Sequence, residues 1–219
     1  MKRTTLCKTV RWFLHLHYDV RLEGIELLHD GNTHLLLPNH PAYIEPVILF
    51  AECWNVRMQP MCDEAFFRKP VSGWALRFVN AIAVPDLGAA TAAEREKSAD
   101  KARSLTDTAV QALSEGYNLV FYPSGHIKLT PEESIGNRRL AYEVCQRILD
   151  DGENNIRVIM LRTTGLEGSI TSKMKTQPTW RRHVTIHFED MTDKLKEWSE
   201  LPKRAFNEKL EDWYNINNQ

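Results

Sequence analysis

Short apolar runs alternate with helical stretches along almost the whole chain, and this alternation narrows the fold more than any other feature. Strand candidates lie at 20–28, 35–37, 56–60, 79–84, 118–122, 156–161 and 183–188, with helical patterns between most of them. Intervening helices let neighbouring strands run parallel, because only a long crossover returns the chain to the same end of a sheet. The expectation is one α/β domain over residues 1–219, with a mixed, largely parallel sheet flanked by helices. At 219 residues and 42% hydrophobic content the chain can bury one good core, and no internal repeat or low-complexity segment calls for a second domain.

The helical stretches carry their own punctuation. Residues 91–115 place Ala102, Leu105, Ala109 and Leu113 at helical spacing, with residues 94–97 as a solvated face and Gly116 at the C′ position. Thr130-Pro131-Glu132-Glu133 reads as a capping box with proline in the first turn, which predicts a helix from there to residue 150. Residues 47–54 form another helix candidate, with Pro46 suited to its first position and residues 40–44 left as a loop. Residues 63–78 read as helix broken around Pro70 and Gly73, Pro85-Asp86-Leu87-Gly88 as a turn, and 192–200 and 203–214 as two polar helices. Asp30-Gly31-Asn32, between two strand candidates, predicts a hairpin. Near the N-terminus Val10, Phe13, Leu14 and His17 recur beside Lys8 and Arg11. A helix within 1–18 either packs on the domain's own core or lies in a membrane interface.

Charge and cysteine usage remove several function classes. A formal net charge of -1 gives no global attraction to nucleic acid, so charged partners must be met by local patches. Cys7, Cys53, Cys62 and Cys145 are scattered without a CxxC spacing, against a structural zinc or a dense disulfide framework. No run approaches the roughly 18 apolar residues of a spanning helix. Between Gly168 and His187 there is no acidic residue, while Lys173, Lys175, Arg181 and Arg182 surround Trp180. That stretch is a solvated loop or a local patch for an anionic partner.

The chemistry belongs to loops at strand ends, where open α/β sheets place their ligands. After Leu35-Leu36-Leu37 the chain enters Pro38-Asn39-His40-Pro41-Ala42-Tyr43-Ile44-Glu45-Pro46. A histidine can take a proton from a hydroxyl, and a carboxylate on its other ring nitrogen fixes the tautomer and stabilises the imidazolium. From spacing alone, His40 and Glu45 read more readily as an exposed loop residue and a carboxylate at a helix entrance. A second strand ends in Pro123-Ser124-Gly125-His126-Ile127-Lys128, where His126 and Lys128 are ligand contacts or ordinary polar loop residues. Ser124 lacks the first glycine of a nucleophile elbow, so a substrate hydroxyl is the more economical nucleophile.

Asn39-His40, four residues, then Glu45, after an apolar strand, resembles the signature block of the glycerolipid acyltransferases, the lysophosphatidic acid acyltransferase family, where the last position is usually Asp. The resemblance continues in order over most of the chain. Residues 66–86, ending Ala81-Ile82-Ala83-Val84-Pro85-Asp86, are similar to the second block, with Leu87 where arginine is usual. Phe121-Tyr122-Pro123-Ser124-Gly125-His126 looks like the third, usually Phe-Pro-Glu-Gly-Thr-Arg, and residues 158–165 stand where the apolar fourth does. Ser124 and Ile127 replace the glutamate and arginine associated with gripping the acceptor's phosphate. That pattern, with the stretch from Arg162 to Ser169, is similar to acyltransferase domains of the lysophosphatidylethanolamine type fused to acyl-activating ligases, which would make the chain a module of a longer protein.

The resemblance implies a transferase acting without cofactor or metal. His40 would deprotonate a lysolipid hydroxyl that attacks the thioester of acyl-CoA or acyl carrier protein, with Glu45 holding the imidazole. Asn39 or a backbone amide near Gly125 would stabilise the oxyanion, and Ser124, Gly125, His126, Lys128 and Arg162 would line the substrate site. It implies a protein peripheral on the cytosolic face of a membrane. Two rival classes stand beside it: an inert lipid-binding domain of the same fold, supported by the altered third block, and a thioesterase-like hydrolase in which the same base activates water.

Overall fold

A computed structural model describes residues 3–85, 92–150, 155–175 and 179–216. Its strands are β1 (Tyr18–Glu23), β2 (Thr33–Pro38), β3 (Met58–Asp63), β4 (Ile82–Val84), β5 (Asn118–Val120), β6 (Ile156–Thr164) and β7 (Arg182–Asp190). They form one sheet in the order β1-β7-β6-β2-β5-β3-β4. Each neighbouring pair is parallel except β6 and β7, so the expected mixed, largely parallel sheet is present. The helices are α1 (Arg3–Leu14), α2 (Glu45–Glu52), α3 (Glu64–Phe67), α4 (Pro70–Phe78), α5 (Ala92–Ser114), α6 (Leu140–Asp150), α7 (Thr192–Ser199) and α8 (Lys203–Asn215). The turn expected at Asp86-Leu87-Gly88 and the side chains at 94–97 lie outside the described residues.

The central strands are buried on both faces, which is why they read as continuous apolar runs rather than alternating ones. Side chains still alternate along them. Leu35, Leu37, Leu119, Val158 and Met160 pack with α5, α6, α7 and α8 on one side. On the other, Leu36, Val120, Ile159 and Leu161 meet Ile48 and Leu49 of α2 and Leu28 of a 3-10 turn at Ile25–His29. Each leucine buried this fully is worth about 2 kcal/mol relative to exposure. α1 does pack on its own domain: Glu52 of α2, itself buried, receives Arg11 Nε at 2.7 Å and His15 Nε2 at 2.6 Å.

Three local expectations are corrected. The turn at Asp30-Gly31-Asn32 exists, with Asn32 N donating to Asp30 Oδ1 at 2.8 Å, but it closes no hairpin. β7 and β6 lie between β1 and β2, and β1 pairs in parallel with β7. The break expected around Pro70 and Gly73 falls just before Pro70, at Arg68 and Lys69, and α4 runs unbroken through Gly73. A Cβ on Gly73 would collide with the Phe67 carbonyl oxygen, so the glycine lets α4 run close beside α3. The third correction is the largest: α6 starts at Leu140, and the predicted helix start at Thr130 is an irregular strap instead.

That strap, residues 131–139, is held by one face of α8. Asn207, Glu211 and Asn215 recur every four positions, so they share a helix face. Asn215 Oδ1 accepts from Glu133 N at 2.8 Å and its Nδ2 donates to Glu133 O at 3.0 Å. Glu211 Oε1 accepts from the amides of Ile135 and Gly136. Asn207 Nδ2 donates to the carbonyls of Gly136 and Arg138 at 2.8 and 2.9 Å. A hydroxyl-capped helix would satisfy these backbone groups internally; side chains from the far end of the chain satisfy them here instead.

Candidate active site

β2 and β5 are parallel neighbours, so the loops leaving their C-terminal ends lie side by side. They are tied together at His40. Lys128 N donates to His40 O at 2.9 Å, and His40 N donates to Glu133 Oε2 of the strap at 3.3 Å. The ring of Tyr122 lies under the imidazole, centroids 4.4 Å apart. Tyr43 N donates to Thr171 O at 3.0 Å, anchoring the middle of the loop to the segment after β6. Glu45 is the first residue of α2 and Pro46 the second, so the proline displaces no hydrogen bond and residues 40–44 stay a loop that folds back.

Folding back brings His40 Nδ1 to 3.5 Å from Glu45 Oε2, with side-chain exposures of 16% and 0%. That is longer than an ordinary hydrogen bond, as catalytic pairs often are before substrate binds. With Nδ1 directed at the carboxylate, Nε2 is the nitrogen left for the cleft that His40 lines. Burial pushes the Glu45 carboxyl above the usual carboxylate range; His40 and the Tyr122 hydroxyl pull it back, and the nearby Glu133 charge adds to the rise. The Tyr122 hydroxyl has no close hydrogen-bond partner, and burial, reinforced by Glu45, raises it well above the usual phenol range. Cys62 also lines the cleft, but burial beside Asp63 pushes its thiol up to about 11, so it is protonated at neutral pH and a poor nucleophile.

The cleft holds about 1700 Å³ and its walls are mainly apolar. Val47 and Phe50 of α2 form one side, Trp74 and Phe78 of α4 another, and Leu6 and Val10 of α1 reach the rim. Cations stand among them: Lys173, Arg138, Arg139 and Lys203 all line the same cavity. A mainly apolar cleft that also presents a histidine and several cations suits a ligand with a hydrocarbon chain and an anionic head.

The residues singled out in the sequence divide into two groups. His40, Gly125 and His126 line the cleft, and Glu45 stands behind His40. Asn39, Ser124, Lys128 and Arg162 are engaged elsewhere. The buried Asn39 amide clamps β2 to β6, its Nδ2 donating to Thr163 O at 3.0 Å and its Oδ1 accepting from Thr163 N at 2.7 Å. Ser124 Oγ donates to His126 O at 3.1 Å inside its own turn. Lys128 is buried, with Nζ 3.9 Å from Glu167 Oε1. Arg162 Nη1 donates to Trp213 O at 3.2 Å, on the α8 side. Of the backbone amides near Gly125, among which an oxyanion donor was expected, that of Gly125 itself donates to Tyr122 O at 2.9 Å. Of the cation cluster, Lys173 reaches the cleft, Arg181 lies 3.5 Å from Asp19, and Arg182 donates to the Gly168 carbonyl at 2.9 Å. Tyr122, Glu133 and Arg138 were missed. Tyr122 lay inside the block already singled out, Glu133 read only as the closing residue of a capping box, and nothing local to the strap announced Arg138.

A histidine and a carboxylate thus meet beyond the end of a central strand of an α/β sheet, beside a mainly apolar cleft. The acyltransferase family profile matches residues 19–159, well over half of the chain, and the protein belongs to that family. Among solved structures the chain is similar to the 1-acyl-sn-glycerophosphate acyltransferase PlsC from Thermotoga maritima, with a TM-score of 0.58 and 14% identity over 95% of this chain and 80% of that one. At that identity the likeness concerns the fold. No curated protein sequence matches the chain.

Proposed function

We propose that the protein is an O-acyltransferase that moves a fatty acyl group from a thioester, acyl-CoA or acyl carrier protein, to the hydroxyl of a lysophospholipid-like acceptor. His40 Nε2 takes the hydroxyl proton while the oxygen attacks the thioester carbonyl. The tetrahedral intermediate then expels the thiolate, which takes the proton back from the imidazolium. Glu45 orients the ring and offsets its transient charge. The arrangement that supports this is His40 Nδ1 at 3.5 Å from a fully buried carboxylate, with the histidine lining a mainly apolar cleft. An acceptor carrying its phosphate in a diester, as in the fused-ligase subgroup, accords with the missing glutamate and arginine of the third block.

A peripheral membrane position has its own support. Among the described residues no helix is long and apolar enough to cross a membrane. The cleft is rimmed by exposed apolar side chains of α4, Val71 at 80% and Trp74 at 55%.

The test is acyl transfer from labelled acyl-CoA and acyl carrier protein to a panel of lysolipids, beside His40→Ala. Removing the base is expected to lower turnover about 10²- to 10⁴-fold. Transfer absent with every acceptor and both donors would sink the proposal in favour of an inert lipid-binding domain. Fatty acid released without acceptor, and lost in His40→Ala, would make the protein a hydrolase.

A further inference from the structure

The third-block loop lacks its usual guanidinium, yet one stands there. Ser124 and Ile127, at the positions of the missing glutamate and arginine, are both buried. Gly125 has φ +60 and lies open on one side, and a Cβ added there would sit 3.4 Å from Arg138 Nη1 and 3.5 Å from its Cζ. The guanidinium therefore lies over the loop's bare backbone, within the cleft that His40 also lines.

Arg138 is both anchored and available. Its backbone carbonyl is held by Asn207 Nδ2 at 2.9 Å, and Asn207 is itself buried. Among the described residues no carboxylate pairs with its guanidinium, whereas its neighbour Arg139 is paired with Glu143 at 2.8 Å. Lys203, which donates to Asn137 O at 3.3 Å, adds a second cation to the same end of the cleft. An exposed cation with no carboxylate partner among the described residues, lining a cavity beside a second cation, gives that part of the cleft a positive potential.

We propose that Arg138 is the anion-binding residue of this cleft, its planar fork taking two oxygens of a phosphate ester or diester on a substrate whose hydrocarbon chain lies along the apolar walls. The strap moves the guanidinium from the loop after β5 to the turn before α6, which changes the direction from which the phosphate is gripped. Gly125 takes the φ of +60 that glycine adopts without strain, and the guanidinium rests against its backbone. The phosphate belongs to the acceptor's head or to the donor's nucleotide; naming either source rests on the acyltransferase reading, while anion binding itself does not.

The experiment is equilibrium binding, followed by intrinsic tryptophan fluorescence because Trp74 lines the cleft. Wild type, Arg138→Gln and Arg138→Lys are titrated with 1-acyl-sn-glycerophosphate, the matching monoacylglycerol, acyl-CoA and acyl-pantetheine. Loss of about tenfold or more for 1-acyl-sn-glycerophosphate in Arg138→Gln, with monoacylglycerol unchanged, is expected if the acceptor supplies the phosphate. The same loss confined to acyl-CoA, with acyl-pantetheine unchanged, assigns the site to the donor. Arg138→Lys should recover only part of the affinity, because a point charge does not replace the fork. Equal loss for phosphorylated and unphosphorylated ligands, or none for either phosphorylated ligand, overturns the proposal. These outcomes need no turnover, so a protein that binds as expected but transfers no acyl group would refute the acyltransferase reading and leave Arg138 in place.

Discussion

At the scale of single residues the unusual group is Glu45, a carboxylate with no exposure and no close hydrogen bond to either oxygen. Its neighbours are His40, the Tyr122 hydroxyl and Glu133, and the net effect, led by burial, is an upward shift of its pKa. A carboxyl whose folded pKa exceeds its unfolded value adds stability in its protonated form, present in acid and lost as pH rises through the folded pKa. Glu45→Gln keeps the shape and removes the titration. The melting temperature of wild type minus that of Glu45→Gln should therefore fall from acid to neutral pH, read by thermal scans in matched buffers. A difference that instead rises with pH would mean that His40 stabilises the ionised form by more than burial penalises it. Turnover of the same variant should drop about 10²-fold or more, since a neutral amide neither fixes the imidazole tautomer nor balances its charge.

At the scale of elements, the strap from 131 to 139 depends on α8 rather than on its own sequence. Glu211 is the central tie, one carboxylate oxygen accepting from two successive amides. Glu211→Ala should cost about 2 kcal/mol, because two charge-assisted bonds disappear. It should also speed hydrogen exchange at Ile135 and Gly136, and reduce turnover through the freed Glu133 and Arg138. Unchanged exchange in the strap would show that Asn207 and Asn215 hold it alone. This element also marks where sequence legibility stopped. The strands at 35–37 and 156–161, the long helix ending at Gly116 and the loop before Pro46 follow from local pattern, and each is present. Thr130 to Glu133 carries an equally clear local signal, but Glu133 turns its carboxylate to His40 N and its backbone to Asn215, 82 positions away. A capping box reports what a segment does in isolation, and tertiary partners overrode it here. Of the site, His40, Glu45 and the Gly125 loop were legible because they follow apolar strands. Arg138 was not, because the turn that presents it is tied to Asn207 of α8 through the Gly136 and Arg138 carbonyls, a contact that no local pattern announces.

At the scale of the whole molecule, α1 presents one face to its own domain and leaves another exposed. Its inner side is fixed to α2 by Arg11 and His15 on Glu52, while Lys8 lies 3.9 Å from the Trp54 ring centroid. Its outer side carries Trp12 and Phe13, packed edge to face and 62% and 57% exposed, with Leu6 and Val10 continuing to the cleft rim. An amphipathic aromatic pair on a docked helix suits insertion at headgroup depth, where each buried methylene is worth about 0.8 kcal/mol. A lysolipid would then pass from the bilayer into the cleft with little of its chain crossing water. Replacing both residues, Trp12→Glu with Phe13→Glu, should leave the fold intact because neither packs in the core. Co-sedimentation with phospholipid vesicles should fall several-fold, and turnover of a vesicle-borne acceptor should fall with it. Turnover of a short-chain acceptor dissolved as monomer should stay within about twofold of wild type, since the substitutions touch neither His40 nor the anion site. Loss on both acceptors alike would place α1 in the catalytic architecture; vesicle binding unaffected by the two charges would remove it from the membrane surface.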